Sequence, residues 1–274
     1  LGYAGTTGAE FYDYMVGDRI ATPVEMHSFL SEALSLMPKT FYPTNPALKI
    51  DPAPSSESVG LRANRGTTMV CFNRNMKIKP DVFTRWMHVL QQVPSATLWL
   101  RRFHFRAQEH LMAFAKDFNV ENGTQLVFAG GLGSKEAHLA RHLLADIFVD
   151  TPGFNGHSTI ADAILAGLPA LTLPGETLAS RISSSMMLAL GDDVATTVSR
   201  NPDDYETLAL RLAGKSREFW AEMKGSMVRA KAEGRGGFGV EAYTEQLERT
   251  FKLMLESSMV ERRSGRKRHA VSVS

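Results

Sequence analysis

From Gly66 onward the chain alternates short, continuously apolar runs with amphipathic stretches, and this alternation most narrows what it can fold into. The runs TTMVCF (67–72), ATLWL (96–100), QLVFA (125–129), IFVD (147–150) and ALTL (170–173) read as strands. Helices follow them over 80–93, 106–118, 135–144, 157–166 and 177–190, the first with Val82, Phe83, Trp86, Val89 and Leu90 on one face. A strand without polar alternation is buried on both faces. Five such strand–helix repeats therefore predict an α/β fold, a doubly wound parallel sheet covered by helices on both sides. Three more helices close the chain, over 202–213, 217–230 and 241–257, the last with Tyr243, Leu247, Phe251 and Leu255 in one stripe.

The first 65 residues read differently. Residues 1–17 are rich in glycine and aromatic side chains and look loop-like, and 47–64 carry Pro, Ser and Asn at linker density. The expected division is a segment 1–46, a linker 47–65, a main domain 66–258 and a basic, disordered tail 259–274. That tail holds five Lys and Arg within residues 262–268 and reads equally as a nuclear-localisation patch or a solvated end. Over the whole chain 31 Lys and Arg nearly balance 29 Asp and Glu, so no nucleic-acid partner is expected. No apolar run approaches the roughly 20 residues that span a bilayer, so no membrane association is expected. The lone Cys71 lies in the first apolar strand and reads as core, not nucleophile; with one cysteine there is no internal disulfide. The start at Leu1, without Met and inside an ordered-looking stretch, reads as that of a fragment.

In an open parallel sheet, ligands bind where strand carboxyl ends lead into helices. Four such loops are chemically loaded here. Residues 72–77 bring Arg74 and Lys77, two cations suited to phosphate oxygens, though a solvated loop would read the same way. Residues 130–136 are a glycine turn (Gly130, Gly131, Gly133) opening a helix that presents Lys135, His138 and Arg141 on one face. That face suits a ribose and a base, or else it is an N-cap at Ser134 followed by exposed charges. Residues 150–159 (DTPGFNGHST) put small residues and His157, Ser158 and Thr159 at a helix start, with Asp162 one turn in. Such a start offers free N–H groups and the positive end of a dipole to an anion, while capping by Asn155 or Ser158 is the plainer reading. In 173–181, Glu176 and Thr177 could cap the next helix and line the same cleft.

Several chemistries are unsupported. Ala213–Ser216 (AGKS) mimics the tail of a phosphate loop, but Ala209 stands where the earlier glycine is required. No G-x-G-x-x-G follows the first strand, no His or Cys grouping has zinc spacing, and no Ser sits in a G-x-S-x-G elbow.

Taken together, LGYAGTTGAEFYDY (1–14), CFNRNMKI (71–78), VPSATLWLRRF (93–103), KEAHLARHLLAD (135–146), DTPGFNGHST (150–159) and AGLPALTLPGETLASR (166–181) resemble the O-linked N-acetylglucosamine transferases. These enzymes, the glycosyltransferase family 41 type, modify protein Ser and Thr. The resemblance runs from Leu1 to about Ser257. It implies a GT-B architecture of two Rossmann-like halves, of which this chain holds the C-terminal half, the closing segment of the N-terminal half and the C-terminal helices. It implies UDP-GlcNAc as donor, protein Ser and Thr hydroxyls as acceptors, inverting transfer, no cofactor or metal, and a cytoplasmic or nuclear location. Lys77 and His157 would be the catalytic residues, Lys77 against the diphosphate and His157 against sugar and phosphates. Ser158 and Thr159 would donate to the diphosphate, Lys135 and Asp162 would hold the ribose, and His138 and Arg141 would surround the uracil. Gly2 and Ala4 would line the sugar pocket, with Arg74 and Gly133 completing the donor site.

The chain departs from the family's usual pattern at Arg74 (usually Gln), Ala4 (Pro), Met76 (an aromatic) and Phe154 (Cys), and 47–64 replaces a longer insertion. Most of the N-terminal half and the tetratricopeptide repeats would lie outside this chain, so no general base is assigned. Two alternatives stand beside this reading: a protein O-fucosyltransferase using GDP-fucose, and a non-catalytic nucleotide-binding fragment. Lys135, His138, Arg141 and His157 favour UDP-GlcNAc over the first.

Overall fold

The computed structural model describes residues 3–62, 66–264 and 270–272, the side chains of 262–264 excepted. Strands β1 (Tyr14–Asp18) and β2 (Ala33–Met37) come first. The main domain then runs β3 (Thr68–Cys71), α1 (Pro80–Gln92), β4 (Thr97–Arg101), α2 (Phe105–Lys116), β5 (Leu126–Ala129), α3 (Lys135–Arg141), β6 (Ile147–Val149), α4 (Ser158–Leu165), β7 (Ala170–Leu171) and α5 (Ile182–Leu188). Helices α6 (Asp192–Ala195), α7 (Pro202–Ala213), α8 (Arg217–Ala232) and α9 (Val240–Ser264) follow, then a strand β8 (Ala270–Ser272).

The five main strands form a parallel sheet in the order β5-β4-β3-β6-β7. The chain winds outward one way from β3 and then the other way from β6. The strand order thus reverses between β3 and β6, and the crevice beyond their carboxyl ends is the default ligand site of such a sheet. Side chains alternate strictly between two cores. Val70, Trp99, Val127, Phe148 and Ala170 face one of them, which α4, α5 and part of α8 cover. Met69, Leu98, Leu126, Ile147 and Leu171 face the other, covered by α1 and α7. Both faces being dry is why these strands read as unbroken apolar runs.

Three expectations need correction. The first segment is not a loop throughout: β1 and β2 pair in parallel, and β8 adds to β2 in a second, smaller sheet. The tail from 259 is not disordered as a whole, because α9 continues to Ser264 and β8 lies beyond it; residues 265–269, with most of the basic run, lie outside the described residues. A single helix over 177–190 does not form either. A short 3-10 turn, Leu178–Ser180, precedes α5, and the break falls at Arg181 (φ −124°, ψ −8°).

The break is where the two sheets are joined. The Arg181 guanidinium donates through Nε to the Ile20 carbonyl (2.6 Å) and through Nη1 to the Gly175 carbonyl (2.8 Å). At the end of β1, the fully buried Asp18 carboxylate accepts from the N–H groups of Ile20 (2.9 Å), Ala21 (2.8 Å) and Phe41 (3.0 Å), and from the Ser185 hydroxyl of α5 (2.6 Å). Tyr243 of α9 closes the joint by donating to the Phe41 carbonyl (2.7 Å). Asp18→Ala would strand three N–H groups and a hydroxyl at a buried seam. We expect a loss of about 3 kcal/mol in urea denaturation, and a smaller one for Asp18→Asn, which keeps an acceptor oxygen.

Candidate functional site

The crevice between β3 and β6 opens into a cavity of about 1000 Å³. One wall is built by the loops after β3 and β6, the other by residues 3–7 and the β1–β2 sheet. Of the residues singled out in the sequence, Ala4, Arg74, Lys77, His157, Ser158 and Thr159 line it.

The two loops are stitched together from below. Asp150, fully buried, accepts from the Gly156 N–H (2.7 Å), the Asn73 side-chain amide (3.1 Å) and the Thr172 hydroxyl (2.9 Å). Asn73 also donates to the Thr151 hydroxyl (2.8 Å) and accepts from that of Thr159. Gly156 is required for packing here: a Cβ would lie 2.6 Å from the Thr159 hydroxyl and 2.8 Å from the Asn73 side-chain oxygen Oδ1. Asn155 is not a helix cap. It is buried in the loop, accepting from the Ser183 N–H (3.3 Å), and the residue at the N-cap of α4 is His157, without a side-chain capping bond. The first-turn N–H groups of α4 have no partner within the helix, and Ser158 and Thr159 at that end line the cavity.

Above this framework, the Lys77 ammonium donates to the Asn155 carbonyl (2.7 Å) and lies 4.1 Å from the centre of the Phe154 ring. Phe154 in turn stacks on His157 (5.2 Å, 20°). His157 Nε2 lies 3.1 Å from the Ala179 carbonyl, so the proton is on Nε2 and Nδ1 is left as the acceptor. Burial lowers the pKa of both Lys77 and His157, and Lys77 also depresses His157; the imidazole is neutral at neutral pH.

The other predicted residues form a second cluster beside the cavity. Lys135 donates to both oxygens of Asp162 (2.5 Å each), and His138 Nε2 lies 3.4 Å from Asp162 Oδ2. Ser134 caps α3 by accepting from the Ala137 N–H (3.1 Å). Arg141 does not share an open face with these two. It is only 2% exposed, donates to the Gly130 carbonyl (3.1 Å) and His138 Nδ1 (2.5 Å), and lies 3.9 Å from the Phe72 ring centre. It orients His138 from beneath. Phe72 lines the cavity and also meets the His138 ring at 5.8 Å, so it links the two clusters. Gly133 sits in the exposed turn before α3, and Gly2 lies outside the described residues. Glu176 and Thr177 do not line the cavity; Leu178 and Ile182 do, while Thr177 pairs with Ser180 in a capping box.

Several lining residues carried little sequence signal: Glu32, Tyr42, Asn73, Arg101 and Phe103. Asn73 was legible only as part of a loaded loop, and Arg101 only within the quoted stretch 93–103. Among the described residues no group of three or more His, Cys, Asp or Glu side chains is placed to hold a metal ion. No helix among them is long and apolar enough to cross a membrane.

The family model for glycosyl transferase family 41 matches residues 1–47 and 58–247. The chain belongs to that family. It is 33% identical over 219 residues to a probable UDP-N-acetylglucosamine–peptide N-acetylglucosaminyltransferase of Arabidopsis thaliana, covering 78% of this chain and 22% of that protein. Identity to a UDP-N-acetylglucosamine–peptide N-acetylglucosaminyltransferase of Caenorhabditis elegans is 34% over 177 residues, covering 65% of this chain and 15% of the other. Among solved structures, the O-GlcNAc transferase of Thermobaculum terrenum superposes with a TM-score of 0.77 at 26% identity, over 93% of this chain and 47% of that one. The fold is thus the GT-B type of α/β glycosyltransferase, and the chain spans about a fifth of the length of its curated relatives.

Burial of the site has a consequence for stability. His142, in the turn after α3, is fully buried, donates through Nδ1 to the His138 carbonyl (2.9 Å), and leaves Nε2 without a partner among the described residues. Burial, with help from His138 and Arg141, pushes its pKa down to about 3. Its folded-state pKa lies below the ordinary 6.5, so between these values the unfolded chain binds the extra proton. Stability should fall as pH drops through 6.5 toward 3. By pH 5 this one group would account for roughly 2 kcal/mol. Urea denaturation at pH 7 and pH 5 should show a smaller acid loss in His142→Gln than in the unsubstituted chain.

Proposed function

We propose that this chain is the donor-binding half of a protein O-GlcNAc transferase, which moves N-acetylglucosamine from UDP-GlcNAc to Ser and Thr hydroxyls with inversion. The observation that carries the reading is the meeting of Lys77 with the N-terminus of α4 across the β3–β6 crevice, in a cavity that also holds His157, Ser158 and Thr159. In the transfer, the acceptor oxygen attacks the anomeric carbon as the bond to the diphosphate breaks, and the electron pair leaves on a phosphate oxygen. That oxygen needs positive charge already in position. The Lys77 ammonium would exchange the Asn155 carbonyl for it, and the N–H groups and hydroxyls of Ser158 and Thr159 would hold the rest of the diphosphate. Arg74, exposed at the cavity edge, adds a second cation.

Lys135 and Asp162 form a charged pair that suits ribose hydroxyls, and His138, held by Arg141, presents its ring beside them for the uracil. His157 would touch sugar and phosphate, with Ala4 on the sugar side. With Lys77 and the α4 dipole supplying the positive charge, the reaction needs no metal or cofactor. The acceptor-side residues, the general base and the tetratricopeptide repeats belong to the rest of the full-length protein, which we place in the cytoplasm or nucleus.

Calorimetric titration of the chain with UDP, UDP-GlcNAc and GDP tests this. UDP and UDP-GlcNAc should bind at least tenfold more tightly than GDP, and Lys77→Ala should weaken UDP by about tenfold to a hundredfold, the worth of a charged hydrogen bond. A folded chain that does not bind UDP, or that prefers GDP, would overturn the reading; the latter would favour fucose transfer.

A further inference from the structure

Part of the cavity wall is a loop with little structure of its own. Residues 3–9 form no helix or strand, yet Tyr3, Ala4, Gly5 and Thr7 all line the cavity, and the Tyr3 ring lies 6.1 Å from that of Phe154. What fixes this loop is one carboxylate. Glu32, immediately before β2, accepts from the Thr7 N–H (2.7 Å), the Thr7 hydroxyl (2.5 Å) and the Thr6 hydroxyl (2.7 Å). Thr6, its proton committed to Glu32, accepts in turn from the hydroxyl and N–H of Ser31 (2.8 and 3.1 Å) and from the Gly8 N–H (3.2 Å).

Glu32 is 4% exposed, while Thr6 and Thr7 are exposed, so the buried end of the arrangement is the carboxylate. It forms no ion pair among the described residues. Burial alone would raise its pKa, but the hydrogen bonds from Thr7 and Thr6 outweigh burial and hold it at about 2. It stays ionised throughout the working range, and three donors share its charge. Such bonds are roughly twice as strong as those between neutral groups. A core contact would have been made as well by an apolar residue; a charged acceptor for two consecutive loop residues fixes the direction of the loop as well as its distance.

We propose that Glu32 is a positioning residue for the sugar end of the donor: it clamps residues 3–7 in the place where they meet the group carried beyond the diphosphate. The inference rests on the donor-binding reading above. With the diphosphate over the carboxyl ends of β3 and β6 and the ribose toward Lys135 and Asp162, the transferred sugar extends toward the loop that Glu32 holds. Loosening the clamp should therefore cost affinity for the sugar nucleotide and spare the nucleotide alone.

The test compares UDP-GlcNAc with UDP by calorimetric titration of the unsubstituted chain, Glu32→Ala, Glu32→Gln and the double variant Thr6→Val/Thr7→Val. The last leaves the buried carboxylate in place and changes only exposed side chains, so it guards against a Glu32→Ala chain that fails to fold. Glu32→Ala and the double variant should weaken UDP-GlcNAc by about tenfold. UDP should change by less than about twofold. Glu32→Gln keeps an oxygen for Thr7 and should fall between. Hydrogen exchange should show the Thr7 amide losing protection in Glu32→Ala. Equal weakening of both ligands, or unchanged UDP-GlcNAc affinity in a folded variant, overturns the proposal while leaving the donor reading intact. If the unsubstituted chain binds neither ligand, the donor reading falls and this inference falls with it.

Discussion

The site depends on the burial of the Asp150 carboxylate beneath the switch point of the sheet. A carboxylate out of water is costly unless its oxygens are filled, and burial pushes the Asp150 pKa up while the Gly156 N–H pulls it back. The donors that fill it come from three places: Asn73 after β3, Gly156 before α4, and Thr172 after β7. One charge thereby sets the separation of the two loops that a ligand must bridge. The Tyr205 hydroxyl, donating to the Asp150 carbonyl (2.8 Å) and accepting from Trp86 (3.0 Å), carries the same constraint into the core on the far face. The aim of the α4 N-terminus is therefore fixed by packing of the whole sheet and not by a flexible loop.

On that rigid base the cavity concentrates positive charge. Arg74, Lys77 and Arg101 all line it, and none of them forms an ion pair among the described residues. Burial lowers the Lys77 pKa, with nearby Arg74 pulling the same way and Asp150 opposing. An anion entering between them would relieve repulsion among the cations as well as making its own contacts. Phe154 beneath Lys77 takes part of the load, because a ring face is the one apolar surface that attracts an ammonium. The second cluster behaves differently. There Lys135 is already neutralised by Asp162, whose pKa is lowered by His138 and Lys135 despite burial. Charge is thus left open in the cavity and closed in the cluster beside it.

The main domain was legible because its strands are dry on both faces, which leaves Val70, Trp99 and Phe148 in runs that nothing else explains. The small sheet was not legible. Tyr14–Asp18 is half-buried for most of its length and includes a glycine, and β2 looks like any short apolar run. Residue type and position at strand ends were enough to single out Lys77, His157 and the α4 start, which the structure brings to one cavity. Depth was not readable: the spacing of Lys135, His138 and Arg141 specifies a shared face, but only the packing of Phe72 shows that Arg141 ends beneath it. Glu32 gave no signal at all, since its partners Thr6 and Thr7 are more than twenty residues away and only the parallel pairing of β1 with β2 brings them together.

That pairing makes the joint between the sheets more than a connector. The cavity has one wall on each sheet, so its width is set by how firmly the sheets are held. Apolar contact alone tolerates sliding, because it has no preferred direction. Here the seam also contains directional bonds: Asp18 to backbone on two sides, Arg181 to Ile20 and Gly175, and Tyr243 to Phe41. Each ends on a main-chain atom, which cannot adjust by changing rotamer. The break in the helix at Arg181 follows from the same requirement, since the side chain must reach backward to Gly175 and across to Ile20 at once. A seam built this way holds β2 still, and with it the residue that grips the loop over the cavity. The position of the loop over the cavity thus traces, through Glu32, to a buried hydrogen-bonded joint at the other end of the small sheet.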